Sequence, residues 1–509
     1  MSPLKQEANS FCFTGDFTRG MGRIVDILLA RISKYRSRVS QLRCHEVIRL
    51  ILCVFALVIH FAVPLFGQAA SPNVVILLTD DQGTLDANCF GSSDLETPNM
   101  DRLAAQGIRF IQAYGHSVCC PARAALLTGR YPQRGGVVNW TQGDRHGSDL
   151  PKINMNTQEV TIAEVLKASG YRTGLFGKWH LGAKEGHGPL EQGFDTHFGH
   201  LGGFIDNYRH YFLHGRGFHD LWEDNQEVFY RDKYYPDLLI DKATNFIDVN
   251  KERPFFMMVA FNLPHYPEQP SSKFKDAYTD MPMPRQSYAR VISSVDEHIG
   301  KILDKLESVG VRDNTLVILM SDNGHSVEDS KGISVDNHSS GYPRGHYYLA
   351  HGGGGNTGRW IGHKGTFLEG GIRVPAIISL PAKLPKGEVR DEIVTSMDWF
   401  PTILDLCNIQ HDAVLPQLDG HSVLSLVADA KASSKYEVLH FAWANNWAVR
   451  RGDWKLICKK TAKGSQAAYS LHKLNDPQPE VKDYAEAELE LVQELISLHE
   501  AWEKDVKGN

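Results

Sequence analysis

Asn73-Val74-Val75-Ile76-Leu77-Leu78-Thr79-Asp80-Asp81 is the stretch whose reading decides the fold. Its apolar centre carries no polar alternation, which marks a strand covered on both faces, as in a parallel sheet. The run then stops abruptly at two acids. Three other runs end in the same way. Thr315 to Met320 stops at Ser321-Asp322-Asn323-Gly324, Phe255 to Phe261 leads into Asn262-Leu263-Pro264-His265, and Tyr171 to Gly177 leads into Lys178-Trp179-His180. Helix-like amphipathic segments lie between the runs. That is the pattern of an α/β domain with a large, mostly parallel sheet flanked by helices. Ligands of open α/β sheets bind beyond the carboxyl ends of the strands, so the four endings are expected to converge on one site.

Between Pro381 and Leu418 the chain becomes rich in proline and loops, and we place a boundary near residue 400, giving a larger domain over 71–400 and a smaller one over 401–509. In the second, Tyr436 to Phe441, Trp447 to Arg451 and Trp454 to Cys458 read as short strands of an antiparallel sheet. Ala485 to Lys504 reads as an amphipathic helix, making this a small α+β domain. Gly324 to His363, with its run Gly352 to Gly355, reads as a long loop.

The 509 residues have ordinary apolar and charged fractions and a formal charge of only −6, with basic residues scattered. This fits an enzyme-sized globular body and gives no nucleic-acid surface. The first seventy residues differ. A basic stretch from Arg31 to Arg49 precedes the apolar run Leu50 to Phe66 and the small residues Gly67-Gln68-Ala69-Ala70-Ser71. This reads as a signal peptide over 1–70, cleaved near Ala69 or Ala70, of a secreted or periplasmic protein. An uncleaved membrane anchor is the alternative. Removing the segment leaves Cys89, Cys119, Cys120, Cys407 and Cys458, too few for a disulfide framework; one or two bridges are conceivable.

The most specific motif is Cys119-Cys120-Pro121-Ala122-Arg123, continuing to Leu127-Thr128-Gly129-Arg130. Pro121 suits a helix start and Gly129 a helix end, so Cys119 is expected just ahead of a helix N-terminus. Free N–H groups and the helix dipole favour a sulfate or phosphate there, and would activate a cysteine. Two structural thiols before an ordinary helix are the bland alternative. Asp80, Asp81, Asp322 and Asn323 offer only oxygen, the donors that Ca²⁺ or Mg²⁺ prefers. Arg123, Lys178 and Lys364 would supply positive charge to a tetrahedral anion. His180 and His265 are suited to moving protons. His146, His187, His197 and His200 receive no role.

The C-x-P-x-R motif with its Leu-Thr-Gly-Arg continuation resembles the signature of the type I, formylglycine-dependent sulfatases of the alkaline phosphatase-like superfamily. The usual serine is replaced by Ala122. The resemblance runs from about Pro72 to about Asp483. It includes Thr97-Pro98-Asn99, Gly177-Lys178-Trp179-His180-Leu181-Gly182, Lys364-Gly365-Thr366, Glu369 to Pro375 and Asn475-Asp476-Pro477. It implies a catalytic domain over 71–400 and Cys119 oxidised to formylglycine by a maturation enzyme before folding. It also implies one divalent cation, expected to be Ca²⁺, held by Asp80, Asp81, residue 119, Asp322 and Asn323. The implied reaction is attack on sulfur by the hydrated aldehyde. His265 with Lys364 would serve the leaving alcohol, and His180 would take the proton whose loss expels sulfate. The implied substrate is a sulfated small molecule or polysaccharide. Aromatic and cationic residues of the 324–363 loop, from His325 to Trp360, are expected either at the pocket rim or in a loop that touches nothing. The alternative function is a phosphonate or phosphate ester hydrolase of the same superfamily, and a non-catalytic carbohydrate-binding descendant is a second.

Overall fold

The computed structural model describes residues 71–139, 154–329, 335, 338–410, 416–460 and 467–508. The leader read at 1–70 and His146 lie outside them. The strands are β1 (Asn73–Asp80), β2 (Ile108–Tyr114), β3 (Arg172–Gly177), β4 (Thr196–Gly199), β5 (Tyr211–Phe212), β6 (Phe218–His219), β7 (Trp222–Glu223), β8 (Gln226–Glu227), β9 (Phe255–Pro264), β10 (Thr315–Ser321), β11 (Arg373–Ser379), β12 (Glu388–Thr395), β13 (Val438–Trp443), β14 (Asn446–Arg451), β15 (Trp454–Lys459) and β16 (Ala468–Lys473). The α-helices are α1 (Pro98–Ala105), α2 (Cys119–Thr128), α3 (Ile162–Ala168), α4 (Tyr235–Asn250), α5 (Arg285–Ser308), α6 (Glu369–Ile372), α7 (Trp399–Cys407), α8 (Leu424–Ala428) and α9 (Leu489–Lys507). None of these helices is long and apolar enough to cross a membrane.

Ten strands form one sheet in the order β12-β2-β11-β10-β1-β9-β3-β4-β7-β8. The centre, β10-β1-β9-β3-β4, is parallel throughout, as is β2 with β12, whereas β11 runs antiparallel to both of its neighbours. The continuous apolar runs are explained by what lies on each face. Val74, Ile76 and Leu78 join Phe256, Met258, Leu316 and Ile318 beneath α2, α3 and α7. Val75 and Leu77 join Met257, Val259, Val317 and Leu319 beneath α1, α4 and α5. With both faces packed, no position of β1 meets water, and its eight residues are all buried.

A second sheet, β13-β14-β15-β16, is antiparallel and packs against α9 through Val449, Leu456, Leu471, Val492 and Leu495. Its fourth strand was not legible in Ala468-Tyr469-Ser470-Leu471-His472-Lys473, which has one aliphatic residue beyond the alanine and holds its place by ladder pairing. A division at residue 400 falls inside α7, whose Phe400, Ile403 and Leu404 belong to the core of the large sheet. The change of texture there is a change of loop content rather than of core. No cysteine bridge forms among the described residues, where Cys89, Cys119, Cys120, Cys407 and Cys458 are all free thiols.

A buried ionic network ties the small sheet to the large one. Lys455 of β15 lies 2.8 Å from Glu369 of α6 and 2.5 Å from Glu480. Glu369 also accepts from Tyr114 of β2 at 2.7 Å and from Arg373 of β11 at 3.1 Å. Lys455 and Glu369 are fully buried. Lys455→Met would fill the space but strand the Glu480 carboxylate in the interior and leave Glu369 with Arg373 as its ion-pair partner, a change that typically costs about 3–5 kcal/mol. The melting temperature of this variant is expected to drop accordingly, and a loss below about 1 kcal/mol would mean that the network behaves like an exposed pair.

Candidate active site

Strand register assembles the site. Thr79 pairs with Ser321 across β1 and β10, so Asp80-Asp81 and Asp322-Asn323 leave the sheet side by side. On the other flank Asp80 pairs with Pro264 of β9, which delivers His265, and Gly177 pairs with Ala260, which delivers Lys178 and His180. Gly177 has φ +122°, and a Cβ there would stand 1.8 Å from the Ala260 carbonyl oxygen, so only glycine lets the end of β3 approach β9 this closely. Asp81 and His180 also adopt left-handed backbone, φ 67° and 61°. Such strain is often concentrated at functional sites. Tyr288 of α5 pins the first of these turns, donating to the Asp81 carbonyl and accepting from the Gly83 N–H, both at 3.1 Å.

Cys119 is the first residue of α2 rather than the residue ahead of it, with Val118 as N-cap and Gly129 closing the helix at φ 65°. Pro121 stands third, where its missing N–H is one of those that find no partner in the first turn. The Lys364 loop is stitched to this helix start by Gly365 N–H to Ser117 O at 2.7 Å. Cys119 Sγ lies 3.5 Å from Asp80 Oδ1. The surroundings of the thiol work against the activation expected from the helix start. Burial and the Asp80 carboxylate push the thiol well up, and Lys178 and Lys364 do not offset them.

The remaining residues read from the sequence come together in the same place. Lys178 Nζ contacts Asp80 at 2.7 Å, Arg123 contacts Asp322 at 2.8 Å and Asp80 at 3.5 Å, and Lys364 contacts Asp81 at 2.8 Å. Arg123 also donates to the Lys178 carbonyl at 2.8 Å. His265 Nε2 is 3.7 Å from Asp81, while its Nδ1 meets the Tyr266 carbonyl at 2.6 Å. Burial opposes the Asp80 charge, but Lys178, His265, Arg123 and Lys364 together hold that carboxyl well below the usual range. Burial pushes Asp81 up to about 6 and Asp322 up to about 7, and the Asp80 carboxylate adds to both.

One ligand atom from each of Asp80, Asp81, Cys119 and Asp322 lies within 4.8 Å of the others. Asn323 donates its amide N–H to Asp81 at 2.6 Å, leaving its Oδ1 buried without a hydrogen-bond partner. Three crowded carboxylates, two of them with raised proton affinity, and an orphaned amide oxygen are a donor set that fits one hard divalent cation.

Above this cluster opens a cavity of about 670 Å³, whose wall includes Cys119, His180, His265 and Lys364. The rim differs from the sequence reading. None of His325, His338, Arg344, His346, Tyr347, Tyr348, His351, Arg359 and Trp360 lines it. His351 turns to Glu268 at 3.1 Å, and Arg359 donates to the Leu474 and Asp476 carbonyls. The loop instead contributes Ser326, Val327, Glu328 and His363. Phe204, His214 and Trp443 also line the wall and were missed, because they lie in the stretch before β9 and in β13, and no motif distinguishes them. Of the histidines left without a role, His187 meets the Met155 carbonyl and His200 the Tyr235 hydroxyl.

The family described as Sulfatase matches residues 72–409, and N-sulphoglucosamine sulphohydrolase, C-terminal, matches residues 359–504. Arylsulfatase J of Mus musculus is 31% identical over 399 residues, 76% of this chain and 62% of that protein, so the chain spans less than two thirds of its length. N-acetylgalactosamine-6-sulfatase of Rattus norvegicus is 31% identical over 413 residues, 75% of this chain and 74% of that protein. Ps i-CgsB in complex with k-i-k-neocarrahexaose is similar with a TM-score of 0.71 and 28% identity, over 85% of this chain and 92% of that one. Phosphonate monoester hydrolase of Agrobacterium radiobacter, 18% identical with a TM-score of 0.58 over 84% of this chain and 96% of that one, shares the fold. The chain therefore belongs to the sulfatase family of the alkaline phosphatase-like superfamily and is a sulfuric ester hydrolase.

Proposed function

We propose that this sulfatase removes sulfate from a sulfated carbohydrate, using a formylglycine made from Cys119 and one Ca²⁺ held by Asp80, Asp81, Asp322, Asn323 and residue 119. The observation that carries the reading is the position of Cys119. It begins a helix 3.5 Å from Asp80 and shares one cavity wall with His180, His265 and Lys364. A buried thiol with raised proton affinity is a poor nucleophile, whereas an aldehyde at this position needs no thiolate. Residue 119 is only 4% exposed, which favours a maturation enzyme acting before the chain folds. Relatives named for N-acetylgalactosamine 6-sulfate and a solved relative bound to a carrageenan oligosaccharide support a sugar as the carrier.

Bound calcium would supply the charge that the three carboxylates lack and Lewis-acid polarisation of oxygens gathered there. The side chains do the rest. Lys364 presents fixed positive charge to the sulfuryl oxygens from the cavity wall, and Lys178 and Arg123 add to the positive field from behind it. His265 donates Nδ1–H to the Tyr266 carbonyl, so Nε2 is the atom that faces the site. Burial and then Lys364 depress its proton affinity to about 3, and it waits neutral. An anionic ester beside it raises that affinity, so that Nε2 takes up a proton from water. As a deprotonated hydroxyl of hydrated residue 119 bonds to sulfur and the bond from sulfur to the alcohol oxygen breaks, His265, assisted by Lys364, passes that Nε2 proton to the departing oxygen. His180 takes the proton from the second hydroxyl of hydrated residue 119, so that the bond to sulfate breaks and the aldehyde returns.

Mass spectrometry of the Cys119 peptide from the native host is expected to show the aldehyde or its hydrate; an unmodified thiol throughout would sink the mechanism. The same preparation should hydrolyse sulfate esters faster than phosphonate or phosphate esters, and the opposite order would replace the sulfatase reading.

Calcium at a hundred times its dissociation constant should stabilise the protein by about 2.7 kcal/mol, seen as a higher melting temperature that a chelator reverses. Asp81→Asn keeps a residue that tolerates the left-handed turn but removes one ligand charge. It should need at least about tenfold more calcium for the same shift. Equal calcium response in the variant would remove Asp81 from the ligand set.

The proposal extends to location. The basic stretch and the apolar run before Ser71 direct the chain out of the cytoplasm, to the periplasm or the medium. Amino-terminal sequencing of the mature protein is expected to begin near Ser71, and a mature chain retaining Leu50 to Phe66 would make it membrane-anchored.

A further inference from the structure

Among the described residues lining the cavity, Lys364 is the only lysine or arginine and Glu328 the only carboxylate. Lys178 and Arg123 lie behind the wall, fully buried. The charge of Lys364 is already engaged by Asp81 at 2.8 Å. Glu328 is held in place from its own loop, with Oε2 accepting from Ser326 Oγ at 3.0 Å and its N–H donating to the same oxygen at 3.1 Å. Its Oε2 stands 3.9 Å from Lys364 Nζ, and one oxygen lies within 4.8 Å of ligand atoms of Asp81 and His265. The side chain is 43% exposed, so a substrate can reach it. Burial opposes its charge, but Lys364 and His265 hold it below the usual carboxylate range.

Beyond these two and the imidazoles of His180, His214, His265 and His363, the described wall carries no ionisable group except the Cys119 thiol and the Tyr266 phenol. Phe204, Tyr266 and Trp443 offer apolar faces, with Phe204 stacked 5.5 Å from His265 and tilted against Tyr266 at 4.8 Å. A pocket made for a polyanion would surround its ligand with arginine and lysine. This one places a negative charge beside the histidine that serves the leaving oxygen. A carboxylate there accepts hydrogen bonds from sugar hydroxyls or an amide N–H and repels a second sulfate or a uronic carboxylate.

Resting on the sulfatase reading, we propose that Glu328 is a specificity residue. It restricts the enzyme to sugars that carry the scissile sulfate among neutral groups, and rejects sugars with a second anion close to the leaving oxygen.

The test uses calcium-loaded enzyme carrying the aldehyde, with 4-nitrophenyl sulfate as reporter. Galactose 6-sulfate and galactose 4,6-disulfate are compared as competing ligands through their inhibition constants, and as substrates where they turn over. The wild type is expected to bind the monosulfate at least about tenfold more tightly. Glu328→Gln should shrink that ratio at least fivefold, chiefly in inhibition constants and KM, and raised salt should shrink it in the wild type, because the exposed carboxylate is screened. A ratio that Glu328→Gln leaves within twofold, or a wild-type preference for the disulfate, overturns the inference and leaves the sulfatase reading standing. Hydrolysis of none of the three sulfates overturns both.

Discussion

Three carboxylates gathered in the interior must be balanced by positive charge, and the rest of this structure is arranged around meeting that need. Asp80, Asp81 and Asp322 come together because β1 and β10 run parallel in one register. Each is met by a cation from a different part of the chain: Lys178 after β3, Lys364 ahead of α6, and Arg123 one turn into α2. Desolvating even one unpaired ion costs several kcal/mol, so the cluster can form only once the sheet, the helix and the long loop are all in place. The balance is incomplete. Raised proton affinity at Asp81 and Asp322, together with an Asn323 oxygen that lacks a partner, leaves room for one further positive charge.

The helix start completes the site without adding charge. Residue 119 begins α2 and stands in the wall of the cavity that opens above the carboxylate cluster. The small sheet is not a bystander, since β13 brings Trp443 into the cavity wall. The Glu369–Lys455–Glu480 network holds that sheet against α6, the helix that follows Lys364. One short stretch of chain, Lys364 to Glu369, thus carries both a cavity-wall residue and an anchor of the small sheet.

Much of this was legible in the sequence, for a specific reason. Strands covered on both faces must be apolar throughout, so β1, β9 and β10 announced themselves, and their carboxyl ends marked where polar residues could serve a ligand. All the proposed ligands and reactive residues, from Asp80 to Lys364, lie at such ends, at the start of α2 or next to α6, where motif and position coincide. The resemblance to the sulfatases tied them together. Less regular parts were harder. β16 has too few apolar residues to show a period, and the boundary read near residue 400 falls inside a helix of the main core.

The sequence by itself determined the layered α/β architecture and the chemical identity of the site, because both follow from local patterns: apolar period, strand ends, and a motif contiguous in the chain. Only the tertiary structure decided which residues face the substrate and what state the site rests in. Glu328, Phe204, His214 and Trp443 come from segments with no distinguishing pattern and meet through folding alone. The thiol of Cys119, expected to be activated by its helix, has its proton affinity raised by its surroundings instead. Burial and a neighbouring carboxylate push its proton affinity up, and neither distance nor burial can be read from the order of residues along a chain.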